Sequence, residues 1–310
     1  MILNSGMRTD IPAFYPEWFF NRLRAGFVLV RNPYNPHAVT KYRISPDVVD
    51  LLVFCTKNPA PMLSGLDRLS AYGQYWFVTI TPYGKEIEPN VPEKEEVINS
   101  FRELSEQVGL PSVCWRYDPV FISKKYTLVF HLEAFERMAE KLSGYTEYCV
   151  ISFLDIYKKV QRNFPEARPV LRKERLMLGK EFARIGKKHG IVIKGCAEGT
   201  ELSEFGVDCS GCMTVPVFER ALGQKLLIPK QYSGAREECG CILGNDIGAY
   251  DSCPHLCRYC YANTDRFLVQ ENRRRHDPDS PFLIGGSEEE DVIHEAKQVS
   301  FIDRQMRLEF

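Results

Sequence analysis

Three thiols, Cys253, Cys257 and Cys260, stand in the run "DSCPHLCRYCYAN" over residues 251–263. Thiolate is the soft ligand that iron–sulfur clusters and zinc select. Three thiolates on one short loop can hold three corners of a cubane [4Fe-4S] cluster and leave its fourth iron open to a substrate or cofactor. A closed structural zinc site wants four protein ligands. His255 is poorly placed to be the fourth, because it lies between two cysteines of the same loop.

The chain carries eleven cysteines. Cys55, Cys114 and Cys149 lie singly in the apolar runs "LLVFC", "SVCW" and "YCVISF" and read as small core residues. The other eight crowd between Cys196 and Cys260. Besides the loop they include a C-x2-C pair, Cys209 and Cys212, and a C-x-C pair, Cys239 and Cys241. With Cys196 these offer five candidates for a second metal site, iron–sulfur or zinc. The bland alternative makes Cys196 a core residue and the pairs surface turns.

Positioning falls to a strand–helix rhythm. "MILNS", "DLLVFCT", "YWFVTIT", "SVCWRYD", "EYCVISFLD" and "GIVIKGC" are short apolar runs suited to strands buried on both faces. Helical patterns separate them, and most close on a glycine. Repeated β/α units predict a parallel α/β sheet, a partial or full (β/α) barrel of TIM type, whose strand ends share one face. Polar residues recur at those ends: Lys57, Arg116, Asp118, Asp155 and Glu198. Each alone is an ordinary turn or cap residue; the series favours a site. "FVLVRNPYNPHAVTKYRI" reads as an inserted hairpin, and "SEEEDVIHEAKQ" as a charged amphipathic helix. The expected layout is (β/α) units over 1–200, a cysteine-rich metal-binding region completing the barrel over 201–275, and an extension packing on it over 276–310.

At 310 residues with net charge -1, no global electrostatic case exists for nucleic acid. No apolar run spans a bilayer, and "MILNSGMRTDIP" has no signal-peptide pattern, so a cytoplasmic protein with no membrane partner is expected.

"CPHLCRYCYAN" resembles the radical S-adenosylmethionine (radical SAM) signature, Cys-x3-Cys-x2-Cys with an aromatic, here Tyr259, before the third cysteine. Its flanks resemble the spore photoproduct lyase-like branch. The resemblance implies a [4Fe-4S] cluster whose open iron binds S-adenosyl-L-methionine. It also implies a 5′-deoxyadenosyl radical that abstracts hydrogen from a substrate, and an electron donor such as ferredoxin or flavodoxin. In that family the motif follows the first barrel strand; here it comes last, so the resemblance implies a circular permutation. "ILGNDIGAY" then feeds the loop from beside the N-terminal strand, with Asp10 on the same rim and the following helix against that strand. Nearly the whole chain resembles the DUF1848 family of bacterial proteins. The alternative is a non-catalytic barrel that binds zinc or an iron–sulfur cluster.

Overall fold

The computed structural model describes residues 1–229, 240–242 and 244–303. In chain order the elements are β1 (Ile2–Ser5), α1 (Ile11–Phe14), α2 (Pro16–Ala25), β2 (Phe27–Arg31), β3 (Ala38–Arg43), β4 (Leu51–Thr56) and α3 (Ala60–Leu63). Next come β5 (Gly73–Thr79), α4 (Lys94–Val108), β6 (Val113–Val120), α5 (Leu128–Leu142), β7 (Tyr148–Phe153), α6 (Lys158–Asn163), α7 (Arg172–Lys188) and β8 (Val192–Gly195). The chain continues through α8 (Val215–Leu222), β9 (Asn245–Asp246), α9 (Arg266–Arg274) and β10 (Val292–Glu295).

Seven strands form one sheet in the order β8-β7-β6-β5-β4-β1-β9. Every neighbouring pair in it is parallel. All six expected strands are present. Their runs are apolar because helices cover both faces: β4 and β5 are buried along most of their length. Trp76 stacks on Phe54 at 4.0 Å, and Phe135 stacks on Trp115 at 4.7 Å and on Phe182 at 4.2 Å. These rings fill the space between sheet and helices. The sheet is open among the described residues, with β8 and β9 at its edges.

β9 pairs with β1 through Leu3↔Asn245 and Asn4↔Asp246, so the last strand of the large sheet lies beside the first. The helix that follows the cysteine loop, α9, meets the α1 region: Arg273 lies over the Phe14 ring at 5.8 Å, and His276 packs edge-on to Tyr15.

Two local expectations change. The run "APMLSGLDRLSAYG", whose pattern in the sequence predicts one helix, breaks after Leu63 and resumes as a 3-10 turn over Leu66–Leu69. "SEEEDVIHEAKQ" is not a helix. Its centre is β10, which adds in parallel to the β2–β3 hairpin as a second, three-stranded sheet. Val292 and Ile293 are β-branched, and the β3 edge supplies hydrogen bonds that the local charge pattern does not foretell.

Candidate functional site

Because the strands are parallel, their C-terminal ends open on one face, and the cysteine loop leaves from β9 onto it. The loop is tied down from several sides. Tyr15 Oη donates to the Ser252 carbonyl at 2.6 Å, and Asn90 Nδ2 donates to the Pro254 carbonyl at 2.7 Å. The Arg258 N–H reaches the Ile87 carbonyl at 3.0 Å. Asn263 Nδ2 closes the loop on the Cys253 carbonyl at 2.8 Å. Leu256 sits in the left-handed region (φ 55°), which curls the chain between the first two cysteines.

The three thiols are half-buried. Burial raises the pKa of each above the ordinary thiol value. Asp10, Cys260 and Cys257 add to the effect at Cys253. At Cys257 the Lys57 ammonium opposes it. Cys260 Sγ accepts the Ala262 N–H at 3.3 Å, a donor that favours the thiolate. A metal centre at this loop would take the three as thiolates.

Asp10 is the hub beneath the loop. Its Oδ1 accepts the Ala13 N–H at 3.0 Å and so caps α1. Its Oδ2 accepts the Lys57 N–H at 2.7 Å and bonds His255 Nε2 at 2.9 Å. His255 Nδ1 lies 3.3 Å from the Asn90 carbonyl. Both ring nitrogens are thus engaged within the chain.

A second hub, absent from the sequence expectations, is Glu88. Its buried carboxylate accepts from Lys57 Nζ at 2.8 Å, Thr81 Oγ1 at 2.7 Å, Lys94 Nζ and Tyr259 Oη. Burial opposes its ionisation, but the two ammonium groups hold its pKa at about 2. Lys57 loses solvation by burial, yet Glu88 and Cys257 raise its pKa above the ordinary lysine value. The aromatic of the cysteine motif is therefore anchored to a charged network by its hydroxyl.

Across the face, at the β6–β8 end, a second group of thiols assembles. Cys196 follows β8; the segment at 207–208 runs along the free edge of β8, with Asp208 N–H bonding the Ile193 carbonyl at 2.8 Å. That delivers Cys212, whose Sγ lies 3.7 Å from Cys196 Sγ and 3.4 Å from Cys241 Sγ. The bond from Cys212 and the nearby Arg116 lower the Cys196 pKa, although burial opposes them. Among the described residues the Cys209 thiol donates to the Val207 carbonyl at 3.6 Å. Cys239 lies outside the described residues.

Arg116 Nε bonds Asp118 Oδ2 at 3.1 Å, and its Nη2 is 4.0 Å from Cys196 Sγ. Asp118 also accepts from Ser152 Oγ. Glu198 accepts the Phe153 N–H at 2.8 Å and faces Arg175 at 3.8 Å; burial pushes its pKa up to about 8. Asp155 is exposed and accepts from Tyr157 Oη at 3.0 Å. The expected site residues therefore divide: Asp10 and Lys57 belong with the cysteine loop, and Arg116 with Cys196. Asp118 joins Arg116, Glu198 braces the β7 end, and Asp155 stays at the rim.

Among the described residues, His37, Glu288 and Asp291 place three donor atoms all within 4.8 Å of one another; both cysteine sets are wider. That group is largely exposed, and Arg31 already bonds both carboxylate oxygens of Asp291.

Fold and face together define an α/β protein whose parallel strand ends gather two sets of thiols. The chain belongs to the family described as domain of unknown function (DUF1848), whose model matches residues 2–262. A search of curated proteins finds no match. No helix among the described residues is long and apolar enough to cross a membrane.

Proposed function

We propose that the protein is a radical SAM-type iron–sulfur enzyme built on a circularly permuted, partial (β/α) barrel. The observation that carries this reading is the Cys253–Cys257–Cys260 loop, set at the end of a parallel strand and braced by Asp10 and Glu88. The pairing of β9 with β1 supports the permutation, since it puts the motif strand where a first barrel strand would stand.

When bound, a [4Fe-4S] cluster and S-adenosyl-L-methionine would supply one-electron chemistry for hydrogen abstraction, fed by a small electron-transfer protein such as ferredoxin or flavodoxin. The chain's own part is positioning. His255 and Asp10 fix the base of the loop, Tyr259 and Glu88 fix its third turn, and the Ala262 N–H favours the Cys260 thiolate. Lys57, facing Cys257, offsets part of the thiolate charge.

Anaerobic reconstitution tests the reading. Wild-type protein should turn brown, gain about four irons at the loop, and release 5′-deoxyadenosine from S-adenosyl-L-methionine with dithionite. Cys257→Ala should abolish the release and leave the protein folded. A colourless, zinc-loaded protein without cleavage would instead establish the non-catalytic alternative.

A further inference from the structure

We propose that Cys196, Cys212 and Cys241 ligate a thiophilic metal ion, zinc or iron, as an open three-ligand site whose fourth position is left to a water or substrate, in a centre separate from the cysteine loop. The three come from separate segments, 16 and 29 residues apart in the chain, and the fold brings them together with Cys212 in the middle, 3.7 Å and 3.4 Å from its two neighbours. With metal–sulfur bonds of about 2.3 Å, thiolates on one tetrahedral ion lie roughly 3.8 Å apart. Both observed separations are near that edge. Drawing Cys196 and Cys241 onto a common ion needs side-chain movement about Cys212.

The backbone around Cys241 is already arranged for a thiolate. The N–H groups of Cys212 and Met213 both donate to Cys241 Sγ, each at 3.3 Å. Donors aimed at a sulfur in this way are the outer-shell support that metal thiolates use. The two cysteine turns also approach one another closely. A Cβ at Gly240 would meet the Ser210 carbonyl oxygen at 2.4 Å, and one at Gly211, where φ is +110°, would meet the Cys241 backbone at 3.3 Å. Glycine at both places lets two short loops present their thiols to one point.

Charge is matched as well. Each coordinating thiol gives its proton to solvent, so three thiolates on a dication leave one negative charge. The Arg116 guanidinium, 4.0 Å from Cys196 Sγ, stands where it offsets that charge. Hydrophobic burial of Cys212 and Cys241 excludes water from the sulfurs.

The inference stands whether or not the loop holds a cluster, and the experiment separates the two. Metal-free, full-length protein is titrated with Co2+ and followed by thiolate-to-cobalt charge-transfer absorption. A variant with Cys253, Cys257 and Cys260 all changed to serine should keep one equivalent of thiolate-bound cobalt, displaced by Zn2+. Adding Cys212→Ser to that variant should remove the band. Because Cys212 is buried, Cys196→Ser, at the half-buried strand end, serves as the companion change and should lose the band too. Metal analysis of anaerobically purified loop variant should find about one equivalent of zinc or iron, identifying which the centre takes. A loop variant that binds no cobalt, or a band surviving both Cys212→Ser and Cys196→Ser, overturns the proposal.

Discussion

At the scale of single residues, the site rests on two buried carboxylates with different work. Asp10 was placed on the rim only through the permuted strand order that the family resemblance implies. Lys57 and Arg116 were legible as charges at strand ends. Glu88 was not. It lies in the irregular run "PYGKEIEPN", where nothing periodic marks it, and its meaning comes only from tertiary neighbours, Lys57, Lys94, Thr81 and Tyr259. Asn90, which bonds the loop backbone, was hidden for the same reason. Glu88→Gln would keep the shape and remove the charge, leaving two partly buried ammonium groups without their counter-ion. Breaking one partner of a buried ion pair costs about 3 to 5 kcal/mol. Since Lys57 and Lys94 are partly solvated, the expected loss is at the lower end, about 3 kcal/mol, read as a lower chemical-denaturation midpoint. Lys57→Met should lose less, because Lys94 still pairs with Glu88. An unchanged midpoint in the Glu88→Gln protein would remove Glu88 from its place as hub.

At the scale of elements, the strands of the large sheet were legible because each is a dense apolar run with its polar residues at one end. β10 was not, since its charged neighbours imitate a helix face and only the edge of β3 makes it a strand. The long helices were legible from their apolar periodicity, which extends to polar residues placed on the buried face. His131 is such a residue on α5, fully buried, with Nδ1 at 2.8 Å from Tyr117 Oη and Nε2 at 2.8 Å from the Phe121 carbonyl. Burial lowers its pKa to about 4 from 6.5, although the Phe121 carbonyl acts the other way. The folded state therefore binds fewer protons than the unfolded chain between these values. The stabilisation from neutral His131 is complete above about pH 6.5 and falls away as the pH drops through 4, by about 3 kcal/mol at most. Denaturant melts across that range should show the slope, and His131→Gln should flatten it. Equal slopes in both proteins would mean that other groups carry the acid sensitivity.

At the scale of the whole molecule, residues beyond the family match at 262 complete the same core that positions the loop. Trp18 Nε1 on α2 donates to the carbonyls of Ser280 at 2.9 Å and Phe282 at 3.0 Å, and the Leu29 N–H bonds the Pro281 carbonyl at 3.0 Å. Phe282 packs with Leu29 and Val39, while Leu283 and Phe301 enter the main core. Asp50, just before β4, accepts the Phe301 N–H at 2.7 Å and the Ser300 hydroxyl at 2.5 Å. The geometry links this clasp to the site: Tyr15, which precedes α2, bonds the loop at Ser252, and Trp18 one turn later is held by the tail. Burying a large apolar side chain contributes about 1.5 to 3 kcal/mol. Phe282, Leu283 and Phe301 together then contribute on the order of 5 to 9 kcal/mol, comparable with the whole stability of a typical domain. A chain ended after Arg275 should accordingly lose its cooperative melt and bind a hydrophobic dye. The milder Phe282→Ala should stay folded with about 3 kcal/mol less stability and, on the proposed iron–sulfur reading, hold metal at the loop more weakly, because α2 is then less firmly seated. If the shortened chain melted as sharply and at the same temperature as the full one, the tail would be an appendage, and the cysteine loop would owe its position to the sheet alone.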